Sequence, residues 1–147
     1  MAEPIIKFET EKEFIDCCKW WKDKLGLWDW MIKFNLVAPN TKDMTIDNTV
    51  CAGITDINFI NKQAKIDIEN NVGVTELTIV HELLHLFPQF IALESMAQTG
   101  EQIEELLDRF KDNIIHQSLE SMAKAFIMVK YPNIDRSFFD IEMQYWD

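Results

Sequence analysis

The sequence predicts an α+β fold in which an N-terminal helix precedes a small twisted sheet and two later helices. Three observations support this class: a capped apolar segment near residue 10, alternating apolar and polar residues between positions 28 and 69, and a return to helical spacing from position 75. The 147 residues leave room for one core. We therefore expect residues 1–147 to form a single domain.

The first helix is predicted from its start signal. Thr10 and Glu13 have the spacing of a capping box. Apolar residues then recur at steps of four, three and four, at Phe14, Cys18, Trp21 and Leu25. Gly26 follows, so we expect the helix to end there.

Three strands are predicted next, and the sheet has three or four strands in all. One begins at Trp28, a second covers residues 50–60 and a third covers residues 64–69. Gly53 marks a bulge or a close approach within the second strand. The third strand places charged residues on its outer face, and we expect it at an edge of the sheet, with Lys65, Asp67 and Glu69 guarding against aggregation.

Two helices are predicted in the second half. The first covers residues 75–87 and ends near Pro88, and the second covers residues 101–130, with Asn113 as a position where it could break. A connection of about a dozen residues containing Gly100 lies between them. The aromatic tail from Asp135 carries no clear signal beyond compatibility with a short helix.

Composition excludes several classes of function. The net charge of −11 argues against a nucleic-acid-binding protein and against an anionic membrane surface. The sequence has no secretory leader and no apolar run of about 20 residues, so a cytoplasmic protein is expected, with a monomer as the default state. The three cysteines are expected to be reduced packing residues, at Cys17, Cys18 and Cys51.

The motif His81-Glu82-Leu83-Leu84-His85 has the pattern H-E-x-x-H within an apolar frame. On a helix, His81 and His85 stack one turn apart and can both bind one zinc ion. Glu82 is rotated by about 100° from His81 and can reach a water on the metal without binding the metal itself. Glu82 is therefore the predicted general base.

A catalytic zinc usually has a third protein ligand. His116 lies within the apolar arc of the later helix, and it is the predicted third ligand. Glu120, one turn further on, is the alternative; it could also accept a hydrogen bond from a ligand histidine or be a surface charge. Weaker rivals have the character of helix-start or solvent-facing charges: Glu76, Glu94, Glu101, Glu104 and Glu105. An oxyanion donor could be Tyr131, Tyr145 or a backbone N–H.

These residues resemble the zincin metallopeptidases, in particular small metallopeptidases of phage and mobile elements. T-I-V-H-E-L-L-H-L-F resembles their active-site helix, and L-G-L-W-D-W-M-I-K-F resembles their entry strand. H-Q-S-L-E-S-M-A-K-A-F resembles the later helix of the ImmA/IrrE-like type, with His116 where many members have glutamate. The resemblance implies a zincin-like fold, and it implies that the edge of the strand at 64–69 receives an extended peptide.

The leading hypothesis is a zinc-dependent peptidase that hydrolyses an intracellular protein or peptide substrate. The alternative is a non-catalytic binding protein on the zincin scaffold that recognises a host or phage protein. The intact Glu82 favours the enzyme, because a structural zinc site does not need a base. A third reading, a charge-mimicking inhibitor, requires a regular spacing of acidic residues that this sequence lacks.

Overall fold

The computed structural model describes residues 3–38, 45–46, 49–50, 52–97 and 102–139, and it describes side chains at 3–38, 52–92 and 113–139. The elements in chain order are α1 (Glu11–Lys24), β1 (Met31–Val37), β2 (Thr45–Ile46), β3 (Thr49–Val50), β4 (Gly53–Asn58), β5 (Gln63–Glu69), α2 (Thr75–Leu84), α3 (Pro88–Ala97), α4 (Gln102–Lys130) and a 3₁₀ turn (Arg136–Phe139). The predicted α+β class is confirmed.

Helix α1 forms where its capping signal predicts. The side-chain oxygen of Thr10 accepts a hydrogen bond from the backbone N–H of Glu13 at 3.2 Å. Phe14, Cys18 and Trp21 are buried, and Gly26 follows the helix with a φ of +74°. This left-handed conformation is one that glycine adopts at little cost, which explains why the helix ends there.

The main sheet has the strand order β1-β5-β4, with β1 parallel to β5 and β4 antiparallel to β5. Strand β5 is therefore central, and the prediction that residues 64–69 form an edge strand is wrong. Glu69, expected on a charged outer face, is 0% exposed, whereas Lys65 is exposed. Alternation of apolar and polar residues shows which face of a strand is buried. It does not show whether both edges of the strand form hydrogen bonds to neighbouring strands.

One face of the sheet packs against the helices. Ala64, Ile66 and Ile68 of β5 are buried in the main core together with residues of α1 and α2. The register pairs Ile66 with Thr55 and Ile68 with Gly53. Residues paired in register share a face, so Thr55 and Gly53 also point towards α2. This orientation brings β4 to the candidate site described below.

The first residues of the chain complete the N-terminus of α2. The backbone N–H groups of Thr75 and Glu76 donate to the carbonyls of Ile6 and Ile5, at 3.3 and 2.9 Å. N–H groups in the first turn of a helix have no acceptor within the helix. Val74 at the N-cap supplies no side-chain acceptor, so the carbonyls of Ile5 and Ile6 take its place. Helix α2 therefore depends on a segment about 70 residues earlier in the sequence.

The helical half differs from expectation around Pro88. Helix α2 ends at Leu84 rather than at residue 87, and α3 begins at Pro88, where a connection was predicted. Proline both stops a preceding helix and favours the first position of a new one, and only the first effect entered the prediction. Helix α4 is a single 29-residue helix with no break at Asn113.

The remaining expectations concern the cysteines, the tail and the membrane. Cys17 and Cys18 are buried free thiols, as predicted, whereas Cys51 lies outside the described residues. The tail forms a 3₁₀ turn at Arg136–Phe139, and residues 140–147 lie outside the described part. No described helix is long and apolar enough to cross a bilayer.

Candidate metal centre

Three histidines from two helices meet at one place. His81 lies in α2, His85 is the residue directly after its last turn, and His116 lies in α4. The ring centroids of His81 and His85 are 5.2 Å apart, and that of His116 is 5.9 and 6.0 Å from the other two. Each ring offers a nitrogen, and these three nitrogens lie within 4.8 Å of one another.

His85 keeps its place beside His81 although α2 ends at Leu84. Its backbone remains helical, with φ of −58° and ψ of −22°. The spacing of four residues therefore still stacks the two rings on one side of the helix. The shorter helix changes the predicted boundary and leaves the predicted juxtaposition intact.

The three imidazoles fit a metal ion by their chemistry and spacing. Zinc in proteins commonly binds imidazole nitrogens at about 2.0–2.1 Å in tetrahedral sites, which places neighbouring nitrogens about 3.3 Å apart. The three histidine nitrogens lie within 4.8 Å of one another. Each pair therefore needs to approach by at most about 1.5 Å to reach the spacing of a zinc site. His116, predicted as the third ligand, belongs to the only such group found among the described residues.

Glu120 contacts the site indirectly. Its Oε1 lies 2.7 Å from Nδ1 of His81, and Glu120 is not part of the group of three metal-binding candidates. Of the three roles considered for this residue, the structure places it as the hydrogen-bond partner of a histidine. Such a bond fixes the orientation and tautomer of a ring, and it leaves the opposite nitrogen, Nε2, as the one available to a metal ion.

Glu82 is held on the sheet side of the site. It is 6% exposed, and its Oε2 accepts a hydrogen bond from the hydroxyl of Thr55. Gly53 lies against it: a Cβ atom at position 53 would be 2.7 Å from both Cγ and Oε1 of Glu82. The predicted close approach at Gly53 is therefore made by the predicted base.

Thr55 is a site residue that the sequence did not reveal. A threonine within a β-rich segment is a common strand residue, so its identity carried no signal. Its position in the strand did carry a signal, because residues two apart point to the same face, and Thr55 lies two residues after Gly53. Only the sheet register shows that this face meets α2.

Of the rival ligands, Glu76 is the one whose side chain is described, and it is not in the group of three histidines. Of the two characters predicted for the rivals, Glu76 has that of a helix-start charge: it lies in the first turn of α2 and is 0% exposed. It accepts a hydrogen bond from the hydroxyl of Tyr131 at 2.7 Å, which commits this candidate oxyanion donor to another contact. The other rivals and the second tyrosine lie outside the residues whose side chains are described: Glu94, Glu101, Glu104, Glu105 and Tyr145.

No protein-family model, no curated protein and no solved structure matches this chain. The candidate site consists of three histidines suited to one metal ion, the buried carboxylate of Glu82, which follows His81 in the sequence and contacts β4, and a second carboxylate that bonds to the ring of His81.

Proposed function

We propose that this chain is a zinc-dependent peptidase of the zincin type. The observation that supports it most is the grouping of His81, His85 and His116 next to a buried Glu82 that is not one of the three. A structural zinc site is typically closed by four protein ligands, whereas a catalytic site has three and an open position. Three histidines with an adjacent carboxylate match the catalytic pattern.

Zinc bound by these residues would lower the pKa of a water towards about 7 and polarise a substrate carbonyl. In this role Glu82 would take a proton from the water that attacks the carbonyl and would pass it to the leaving amine. Thr55 holds the carboxylate of Glu82 through its hydroxyl, and Gly53 leaves the space that the carboxylate fills. Glu120 keeps the ring of His81 oriented throughout.

The edge of β4 is the place where we expect a peptide substrate to bind. Among the described strands, β4 pairs only with β5. The backbone N–H of Glu69 donates to the carbonyl of Ala52, so hydrogen-bonded pairs with β5 fall at residues 52, 54 and 56. The main-chain groups of Gly53, Thr55 and Ile57 therefore point away from β5, beside Glu82, where an added strand would bond to them.

The first experiment tests the metal and the base together. Protein purified without a metal-affinity tag is expected to contain one zinc per chain by mass spectrometry and to cleave dye-quenched casein. Glu82→Gln is expected to keep the zinc and lose cleavage, whereas His116→Ala loses both. Zinc binding without cleavage in the wild type would favour the alternative, a non-catalytic binding protein. Absence of zinc from protein refolded with the metal would refute the proposed peptidase.

A second experiment tests the substrate edge. Ile57→Pro removes an N–H that points outward and leaves the ladder to β5 intact. It is expected to lower kcat/KM for casein at least tenfold with zinc retained, whereas the matched variant Ile57→Val stays within twofold. Equal activity of the two variants would contradict binding along β4.

A further inference from the structure

Glu76 is the centre of a second polar cluster, which lies away from the histidines. Its side chain is 0% exposed, and four donors converge on it. Oε1 accepts from the N–H of Ile5 at 3.0 Å and from the hydroxyl of Tyr131 at 2.7 Å. Oε2 accepts from Nε1 of Trp21 at 2.8 Å and from Nζ of Lys130 at 2.6 Å.

Lys130 is enclosed in the same cluster. Its side chain is 20% exposed, and Nζ lies 4.2 Å from the ring centroid of Trp20 and 5.1 Å from that of Tyr131. The faces of aromatic rings attract a cation, so the ammonium group is stabilised by these rings as well as by Glu76. Removing one partner of such a buried pair leaves the other charge poorly solvated, so the two charges depend on each other.

The cluster connects the same two helices that carry the candidate metal ligands. Helix α2 carries Glu76 and His81, and α4 carries Glu120 and Lys130. Glu76, the earlier residue of α2, contacts Lys130 at the end of α4, whereas the later His81 contacts the earlier Glu120. The two helices are therefore antiparallel. One contact lies near the start of α2 and the other lies at the histidines.

The part of α4 between these two contacts is apolar where it faces the core. Ala123 and Ile127 are each 0% exposed. Apolar burial is non-directional and depends on area, so it restricts sliding of one helix along another less than directional bonds do. The Glu76 cluster supplies four directional bonds at the end of α2 opposite to His85.

We propose that Glu76 is a positioning residue for the candidate metal centre. Its bonds to Lys130 and Tyr131 fix the axial position of α2 against α4, and this holds His81 and His85 at binding distance from His116. The proposal rests on the proposed function, because it assigns a role relative to a zinc site. A slide of α2 by one residue would move its histidines by about 1.5 Å. This distance is as large as the approach that the three ring nitrogens need in order to bind one zinc ion.

The test measures zinc affinity in Glu76→Gln. The amide nitrogen that replaces one carboxylate oxygen cannot accept a hydrogen bond, so two of the four donors lose their acceptor. We expect the Kd for zinc, measured by competition with a chromogenic chelator, to rise at least tenfold. The absorption bands of the cobalt(II)-substituted protein are expected to shift, because the ligand geometry changes. Both measurements are made at a temperature where circular dichroism shows the variant folded.

The matched control is Phe14→Leu, a change in the core of α1 at a ring that packs edge to face on Phe8 and forms none of the four hydrogen bonds to Glu76. Its Kd for zinc is expected to stay within twofold of the wild type although its Tm falls. Equal increases in Kd for both variants would show that Glu76 acts through general stability, and this would overturn the proposal. So would an unchanged Kd and an unchanged cobalt spectrum in Glu76→Gln. If that variant does not fold, Tyr131→Phe and Lys130→Met take its place under the same criteria.

A measurement in metal-free protein separates this proposal from the proposed function. The ring nitrogens of His81 report its bond to Glu120 in ¹⁵N NMR spectra, and we expect Glu76→Gln to shift them while Phe14→Leu does not. Wild-type protein that binds no zinc would refute the proposed function, and the ring spectra would still decide whether Glu76 positions His81. Unchanged ring nitrogens in Glu76→Gln would overturn the positioning role.

Discussion

Gly53→Ala is expected to displace Glu82, the proposed base. The added Cβ would lie 2.7 Å from Cγ and Oε1 of Glu82 and 2.9 Å from its Cδ. Carbon atoms in good contact are about 3.5–4.0 Å apart, so the side chain of Glu82 must retreat by about 1 Å. The backbone at Gly53 is outside the left-handed region, so the strain comes from this contact rather than from alanine itself.

Two magnitudes follow from this displacement. Overpacking of this kind typically costs about 1–3 kcal/mol of unfolding free energy. A catalytic group misplaced by about 1 Å can cost about 100-fold in rate. We therefore expect kcat/KM for quenched casein to fall about 100-fold, with one zinc per chain retained.

A double-mutant cycle provides the control. Glu82→Ala removes the three atoms that the new methyl group would meet first. In that background, Gly53→Ala is expected to become neutral or to stabilise by about 0.5–1 kcal/mol, because alanine restricts the unfolded chain more than glycine does. Urea unfolding of the four proteins measures this coupling. An equal cost in both backgrounds, or full activity of Gly53→Ala, would refute the reasoning.

Three further predictions concern the candidate metal centre and the Glu76 cluster. Thr55→Val removes a donor to a charged oxygen, an interaction worth about 1.5–3 kcal/mol, so kcat is expected to fall at least about tenfold in the casein assay, with an unchanged zinc content by mass spectrometry. Glu120→Ala is expected to weaken zinc binding by about 10–100-fold in chelator competition, whereas Glu120→Gln keeps an acceptor for His81 and stays within a few-fold; equal losses in both would indicate a direct ligand instead. Burial, followed by the nearby Glu76 carboxylate, raises the pKa of Cys17 from 9.0 to about 12. Because the folded-state pKa is the higher one, this contribution to stability is complete below about pH 9 and is lost as the pH rises towards 12. Cys17→Ala should reduce the decline of unfolding free energy between pH 8 and 10.5 in urea titrations, and an unchanged slope would contradict this assignment.

Local patterns in the sequence predicted much of the candidate site. The spacing of His81 and His85 fixes their juxtaposition through helix geometry alone. The angular position of His116 on its helix placed it within the buried arc, and the structure brings it to the other two rings. Each of these inferences concerns the geometry of one helix, which is the level at which sequence periodicity is informative.

Features that depend on long-range pairing were not predictable in the same way. The alternation in β5 is the same for a central strand and for an edge strand with one solvated face, so the position of β5 was assigned wrongly. The burial of Glu76 depends on Trp21, Lys130 and Tyr131, which lie 54 or 55 residues away. Glutamate in a first helical turn is common on exposed helices, so nothing local distinguished this one.

The capping of α2 by Ile5 and Ile6 makes the helix that carries His81 dependent on a distant part of the chain. A helix of ten residues is marginally stable in isolation. Helix α2 obtains acceptors for two of its first N–H groups from Ile5 and Ile6, about 70 residues earlier in the chain. In classical zinc fingers the metal itself drives folding. Here the first turn of α2 is completed by residues about 70 positions earlier, so we expect the proposed zinc ion to bind after the tertiary structure has formed rather than to nucleate it.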